Sequence, residues 1–282
     1  MPVSDAELST LASSHDIIAI GMQADAIRRD KHGNRTTFVR VAVVDAAPGA
    51  PLTWPAAAGE IRIAGVPSSR AAATARVREV AAAANRVPVS GFSLADLEQM
   101  AAAEKVTLRD ILEELQAAGL ELVSEAPFDE LQDARRSIEE VNIAGLSLSR
   151  LTIHKLPSAD AASWLTKISE LQRAVAVIRA FAPLPRQVNP AVPTTGYDDV
   201  KRVALARIIV ENVPSIQVDW ALYGPKLAQV ALTIGADDVD MVSAEDDQGE
   251  SRRRAPLEEI RRNIRAASHE PIERNGRFDI AR

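Results

Sequence analysis

The chain has 282 residues, 46% of them hydrophobic, 26% charged and only 4% aromatic, a globular profile whose apolar content is mostly Ala, Val, Leu and Ile. A formal charge of -6 and a pI near 5.4 argue against a general nucleic-acid surface, which needs a basic face to neutralise phosphates. There is no cysteine, which excludes disulfides, thiolate nucleophiles, zinc ribbons and any iron–sulfur cluster held by this sequence's own thiolates.

The segment Asp5 to Lys31 carries apolar residues at helical spacing, among them Leu8, Leu11, Ile17, Ile20 and Ile27, and ends in the turn signal His32-Gly33-Asn34. It predicts a lead-in helix. Thr36 to Val44 is β-branched and bounded by Pro48-Gly49, a first strand. Strand-like and helical stretches then alternate. Glu60 to Val66 precedes an Ala-rich helix over Ser69 to Ala84, and Val87 to Phe92 precedes two helices opening at Ser93 and at Thr107, the latter with an acid, Asp110, three residues on. Leu120 to Ser124 leads to a helix through Asp133 to Ile143, and Arg150 to Leu156 to a helix over Ala159 to Val175. Val177 to Leu184, a helix over Tyr197 to Asn212, a strand over Ser215 to Tyr223, a helix over Pro225 to Gly235 and Val239 to Ser243 complete the series. The run Arg252 to Arg254, followed by Glu258, Glu259, Arg261, Arg262 and Arg265, reads as a solvated helix face.

Parallel strands must be reached by crossovers, and eight such units close into a barrel of about 250 residues. The expected fold is therefore α/β, a (β/α)8 TIM barrel with an N-terminal lead-in helix and a C-terminal helix and tail. Its expected divisions are a helix packed on the barrel over 1–34, the barrel over 35–267, and a polar, poorly ordered tail over 268–282. An open doubly wound sheet is the rival, but Val44 to Gly49 does not match the glycine fingerprint such a sheet carries after its first strand. Met1 to His15 is no secretory leader and no apolar run approaches 18 residues, so a cytoplasmic protein with no membrane partner is expected.

Several runs resemble a known family. Gly196-Tyr197-Asp198-Asp199-Val200-Lys201, Asn212-Val213-Pro214-Ser215-Ile216, Trp220-Ala221-Leu222-Tyr223-Gly224-Pro225-Lys226-Leu227-Ala228-Gln229 and Gly235-Ala236-Asp237-Asp238-Val239-Asp240 are similar to the C-terminal half of the radical S-adenosylmethionine enzymes of futalosine-type menaquinone synthesis. These are aminofutalosine synthase and dehypoxanthine futalosine cyclase, with deazaflavin synthase as a cousin. Ala24 to Gly33 with Thr37-Phe38-Val39, and Phe92-Ser93 with Val106 to Leu120, extend the resemblance over residues 16–243. In that family a loop after the first strand bears C-x-x-x-C-x-x-C, whose thiolates hold a [4Fe-4S] cluster. Here the stretch Asp45 to Pro55 has no cysteine, and the family's Gly-Gly-Glu segment is reduced to Ala64-Gly65-Val66-Pro67. The resemblance therefore implies a barrel with no cluster and without the family's determinant for S-adenosylmethionine.

Barrel chemistry sits at the C-terminal ends of the strands. Glu125, closing the fourth strand, is a candidate acid, or else a first-turn helix acid ahead of Pro127. His154, beside Lys155, is a candidate general base at the fifth, or else simply a hydrogen-bonded imidazole. Arg179, Arg186 and Asn189 would bind a ligand carboxylate or phosphate from the sixth strand and the proline-rich loop over Pro183 to Pro193; alternatively an arginine here caps the barrel through Asp219. Asp219 is the third candidate catalytic group, with Tyr223, Lys226 and Gln229 as ligand contacts around a helix start after Gly224-Pro225. Asp237, Asp238 and Asp240 read as turn and capping chemistry, so no metal is expected. The resemblance implies a futalosine-type nucleoside as ligand and a cluster-bearing paralogue as partner. The alternative is a non-radical barrel enzyme using Glu125, His154 and Asp219 on such a nucleoside.

Overall fold

The computed structural model describes residues 10–155, 161–187, 196–245 and 255–280. Its strands in chain order are β1 (Arg35–Asp45), β2 (Glu60–Ala64), β3 (Val89–Ser93), β4 (Leu122–Pro127), β5 (Ser147–Leu148), β6 (Leu151–Ile153), β7 (Ala180–Pro185), β8 (Ser215–Asp219), β9 (Asp238–Ser243) and β10 (Glu270–Arg274). Pairing runs β1-β2-β3-β4-β6-β7-β8-β9 and returns from β9 to β1, closing an eight-stranded barrel as the alternation predicts. The pairs β1–β2, β2–β3, β3–β4, β7–β8 and β8–β9 are parallel. The short β5 pairs with β4, and β10 lies beyond β1.

The helices are α1 (Ile17–His32), α2 (Arg70–Ala83), α3 (Leu94–Glu104), α4 (Leu108–Ala117), α5 (Ala134–Ile143), α6 (Ala161–Val175), α7 (Gly196–Ile209), α8 (Trp220–Leu232) and α9 (Pro256–Ala266). Local chemistry sets their starts. Asp16 accepts from Ala19 N at 3.0 Å, Ser69 Oγ from Ala72 N at 3.1 Å and Asp133 from Arg136 N at 3.1 Å. The capping box at Thr107 is present: its hydroxyl accepts from Asp110 N at 3.1 Å and its amide donates to the Asp110 carboxylate at 2.9 Å. The lead-in helix differs from expectation in being interrupted at residues 14–16, where Ser14 Oγ accepts from Asp16 N and Asp16 begins a new helix.

Chain contacts divide the protein into two compact units, Met1–Phe38 with Thr152–Asp240 and Ile260–Ile272, and Val39–Leu151 with Met241–Glu259 and Glu273–Arg282. In the first unit α1 packs along α7. Beneath β8 and β9, Arg207 is fully buried and donates to Gly235 O at 2.8 Å, to Pro214 O at 3.2 Å and to the Asp237 carboxylate. Asp237 also accepts from Ile216 N at 2.8 Å and lies 3.4 Å from His32 Nε2. Burial pushes the Asp237 carboxyl above its ordinary range, with Arg207 and then His32 opposing. Gly235, at φ +124, is required there: a Cβ would lie 2.8 Å from Arg207 Cβ.

In the second unit, β1 and β2 are joined by residues 46–59 with no helix. Trp54 packs instead on Ala42, Ala58 and Ala244, beside Val87. One face of the strands carries a buried polar network, with Glu60 Oε1 accepting from Arg62 Nε at 2.8 Å and from Ser90 Oγ at 2.5 Å. The segment expected to trail off after Ser268 instead forms β10 and a closing turn. Gly276 N donates to Gly59 O at 3.0 Å, Arg277 forks onto Glu121 at 2.6 and 2.8 Å, and the Arg274 guanidinium lies 3.9 Å above the Phe278 ring. The polar composition that suggested disorder is the composition of these pairs.

Candidate functional site

The C-terminal ends of β7 and β8 carry a polar cluster. Asp219 is the last residue of β8 and the N-cap of α8: one carboxylate oxygen accepts from Leu222 N at 2.9 Å and the other from Arg186 Nη1 at 3.0 Å. Arg186 follows β7 directly and is pinned by its own amide, which donates to Ile153 O at 2.9 Å, while Gln187 N donates to His154 O at 2.8 Å. Tyr223 donates its hydroxyl to Pro185 O. From the first turns of α7, Asp199 and Arg202 complete the group, 3.7 Å apart. Burial pushes the Tyr223 phenol well above its ordinary value, with Asp199 adding to the shift and Arg202 and Arg186 opposing it. At neutral pH it is a neutral hydrogen-bond donor. Both oxygens of Asp219 are engaged, one with Arg186 and one with the first turn of α8.

The expected strand over Ser215 to Tyr223 stops at Asp219, because that residue caps a helix; Trp220 and Tyr223 are helical. Gly224-Pro225, expected to start the helix, is a break within α8, with Gly224 at φ 72 and ψ 173. Lys226 is exposed beyond that break, and among the described residues no hydrogen bond ties Lys226 or Gln229 to the cluster. Arg179, expected inside the sixth strand, is exposed and precedes β7, at the opposite end from Arg186. Pro183 and Pro185, expected in the following loop, are strand residues, and Asn189 falls outside the described residues. His154 follows β6 directly, at the same end as Arg186, the strand being shorter than the expected Arg150 to Leu156. Asp199 and Arg202 were missed: an acid and an arginine three apart on a helix read as a solvated pair.

In the second unit Glu125 lies within β4, not in a first helical turn, since the strand continues to Pro127. It pairs in register with Ser93, and its carboxylate is 3.8 Å from Arg150, whose side chain is 3% exposed. Ser93 Oγ and Ser149 Oγ are buried without hydrogen-bond partners at the ends of these strands. No group of three or more metal-ligating side chains is present among the described residues, and no helix among them is long and apolar enough to cross a membrane.

The barrel fold is shared with solved structures. Methylornithine synthase superposes with a TM-score of 0.69 over 96% of this chain and 94% of that one at 12% identity. The [FeFe]-hydrogenase maturase HydG does so with a TM-score of 0.66 over 96% and 73% at 11% identity. The model of the family described as CofH/MqnC C-terminal region matches residues 184–282. Aminodeoxyfutalosine synthase of Streptomyces coelicolor is 25% identical over 73% of this chain and 63% of that enzyme. Its counterpart in Thermus thermophilus is 26% identical over 68% and 60%, and cyclic dehypoxanthine futalosine synthase of S. coelicolor 26% identical over 66% and 53%. The chain thus spans about three fifths of the length of these relatives. It is related to the radical S-adenosylmethionine enzymes of the futalosine family, as the sequence resemblance implies.

The thiolate donor set that the resemblance implies for a cluster has no counterpart in this sequence. Asp45 to Pro55 contains neither thiol nor imidazole, and Asp45, its one carboxylate, accepts from Ala47 N at 2.7 Å.

Proposed function

We propose that this protein is a cluster-free member of the futalosine group that binds a futalosine-type nucleoside at the ends of β7 and β8. It acts in or beside menaquinone biosynthesis as a nucleoside binder or as a non-catalytic partner of a cluster-bearing relative. The observation that carries this reading is a contrast within one chain. The stretch after β1 holds no cysteine and no helix, and its Trp54 packs on Ala42, Ala58 and Ala244. The mouth of β7 and β8, inside the segment matched by the family model, keeps a built polar cluster of Arg186, Asp219 and Tyr223. A barrel relieved of all ligand binding has no reason to hold an arginine, a carboxylate and a phenol in register there, since apolar side chains fill barrel ends at lower desolvation cost.

The engaged carboxylate of Asp219 favours binding over acid–base chemistry. Arg186 supplies a planar guanidinium, a shape suited to a nucleoside's oxygens and ring nitrogens, and Tyr223 supplies an aromatic face. Equilibrium dialysis of aminofutalosine against wild-type protein and Arg186→Met tests it: we expect saturable binding weakened at least tenfold in the variant, about 1.4 kcal/mol. Equal binding by both proteins would remove the β7–β8 mouth from the account.

A further inference from the structure

We propose that Arg202 anchors a carboxylate or phosphate group of the ligand, forming an anion subsite of the β7–β8 mouth; the inference rests on that mouth being a ligand site. Arg202 stands on the second turn of α7 with a side chain only 15% exposed. Its Nε and Nη1 are buried with no hydrogen-bond acceptor among the described residues. The Asp199 carboxylate, 3.7 Å from Nη1, balances the charge but is too far to accept a hydrogen bond from that nitrogen. The charge is thus compensated while the donors are not.

The same helix shows what a structural arginine looks like. Arg207, five residues on and fully buried, meets two carbonyls and a carboxylate. Arg28, buried on α1, meets Asp25 Oδ1 at 2.9 Å and Gly33 O at 3.1 Å. Buried guanidinium donors are ordinarily satisfied, because leaving them so is costly. Arg202 is therefore set up for an acceptor that the described residues do not supply. Burial also lowers its pKa, with Asp199 opposing. Helix α7 packs against both β7 and α8, which carry Arg186 and Tyr223 at their ends, and the Tyr223 phenol feels Asp199, Arg202, Arg186 and Asp219 together. Two adjacent anionic oxygens are the acceptor a planar guanidinium fork fits best, and a carboxylate or a phosphate ester presents them.

The test is calorimetric titration of the full chain, at chloride-matched ionic strength, with benzoate, with inorganic phosphate and with inosine, a nucleoside lacking both anions. Wild type, Arg202→Met and Arg202→Lys are compared, each also melted without ligand. The lysine keeps a cation beside Asp199 but lacks the fork. We expect one of the two anions to bind saturably, benzoate indicating a carboxylate and phosphate a phosphate ester. Binding should be abolished in Arg202→Met and weakened at least tenfold in Arg202→Lys, with the lysine variant melting within about 2 °C of wild type. Unchanged anion binding in Arg202→Lys, or binding of neither anion to wild type, overturns the subsite. Inosine binding without either anion would leave the mouth standing and remove only Arg202; anion binding without any nucleoside binding would do the reverse.

Discussion

Replacing Arg207 with methionine isolates the interaction that ties α7 to the base of β8 and β9. The substitution roughly preserves volume and removes three donations: to Gly235 O, to Pro214 O and to the Asp237 carboxylate. Breaking a buried ion pair by removing one partner costs about 3–5 kcal/mol, because the remaining charge is left uncompensated. Unfolding entropy of about 2.1 cal/mol/K per residue gives a chain of this length roughly 0.6 kcal/mol/K, so the melting temperature should fall by about 5–8 °C. The loss should also depend on pH. Burial already raises the Asp237 pKa, and Arg207 is the largest influence opposing that rise, so the variant's carboxyl titrates higher still. A carboxyl whose folded pKa lies above its unfolded value gains stability as pH falls through the folded pKa toward about 3.8. Differential scanning calorimetry of both proteins at pH 7.5, 6 and 5 should show the deficit shrinking with acid. A deficit under 2 °C, or one that widens on acidification, would refute the reasoning.

Three further outcomes follow from the same geometry. Gly235→Ala forces a Cβ to 2.8 Å from Arg207 Cβ and 3.2 Å from Ala24 Cβ at φ +124, and should cost about 2–4 kcal/mol by chemical denaturation; a change below 1 kcal/mol would mean the backbone yields freely. His269 is buried, with Nδ1 2.9 Å from Thr36 Oγ1, and burial and then Arg28 push its pKa down to about 4. The fold keeps it neutral while the unfolded imidazole protonates, so stability is full above about pH 6.5 and falls toward pH 4, by at most about 1.4 kcal/mol per pH unit; His269→Gln should flatten that slope, and an unchanged slope would contradict the assignment. Asp219→Ala removes the α8 cap and should cost about 0.5–2 kcal/mol, whereas Asp219→Asn keeps an acceptor for Leu222 N and should melt closer to wild type; equal losses would show that the Arg186 contact, not the cap, is what stabilises.

The barrel was legible because its strands and helices differ in hydrophobic period, and Thr107 with Asp110 announced its own cap. Boundaries were less so. Asp219 reads as a strand end and as a cap equally well, and only its bond to Leu222 N decides that Trp220 and Tyr223 belong to α8. Arg179 missed the mouth because β7 starts at Ala180, a shift that moves a side chain from the strand to the other end of the barrel. Asp199 and Arg202 were invisible because their importance comes from burial, which no local pattern on α7 encodes. The tail was misread for a related reason: Arg277 finds Glu121 only once the chain has folded.

The most direct test of the central claim is calorimetric titration of the purified protein with aminofutalosine and dehypoxanthine futalosine in the absence of S-adenosylmethionine. The account predicts saturable, near-stoichiometric binding of at least one of the two without any added iron or sulfide. No binding of either, from a protein that melts cooperatively, would contradict it and move the function away from the β7–β8 mouth.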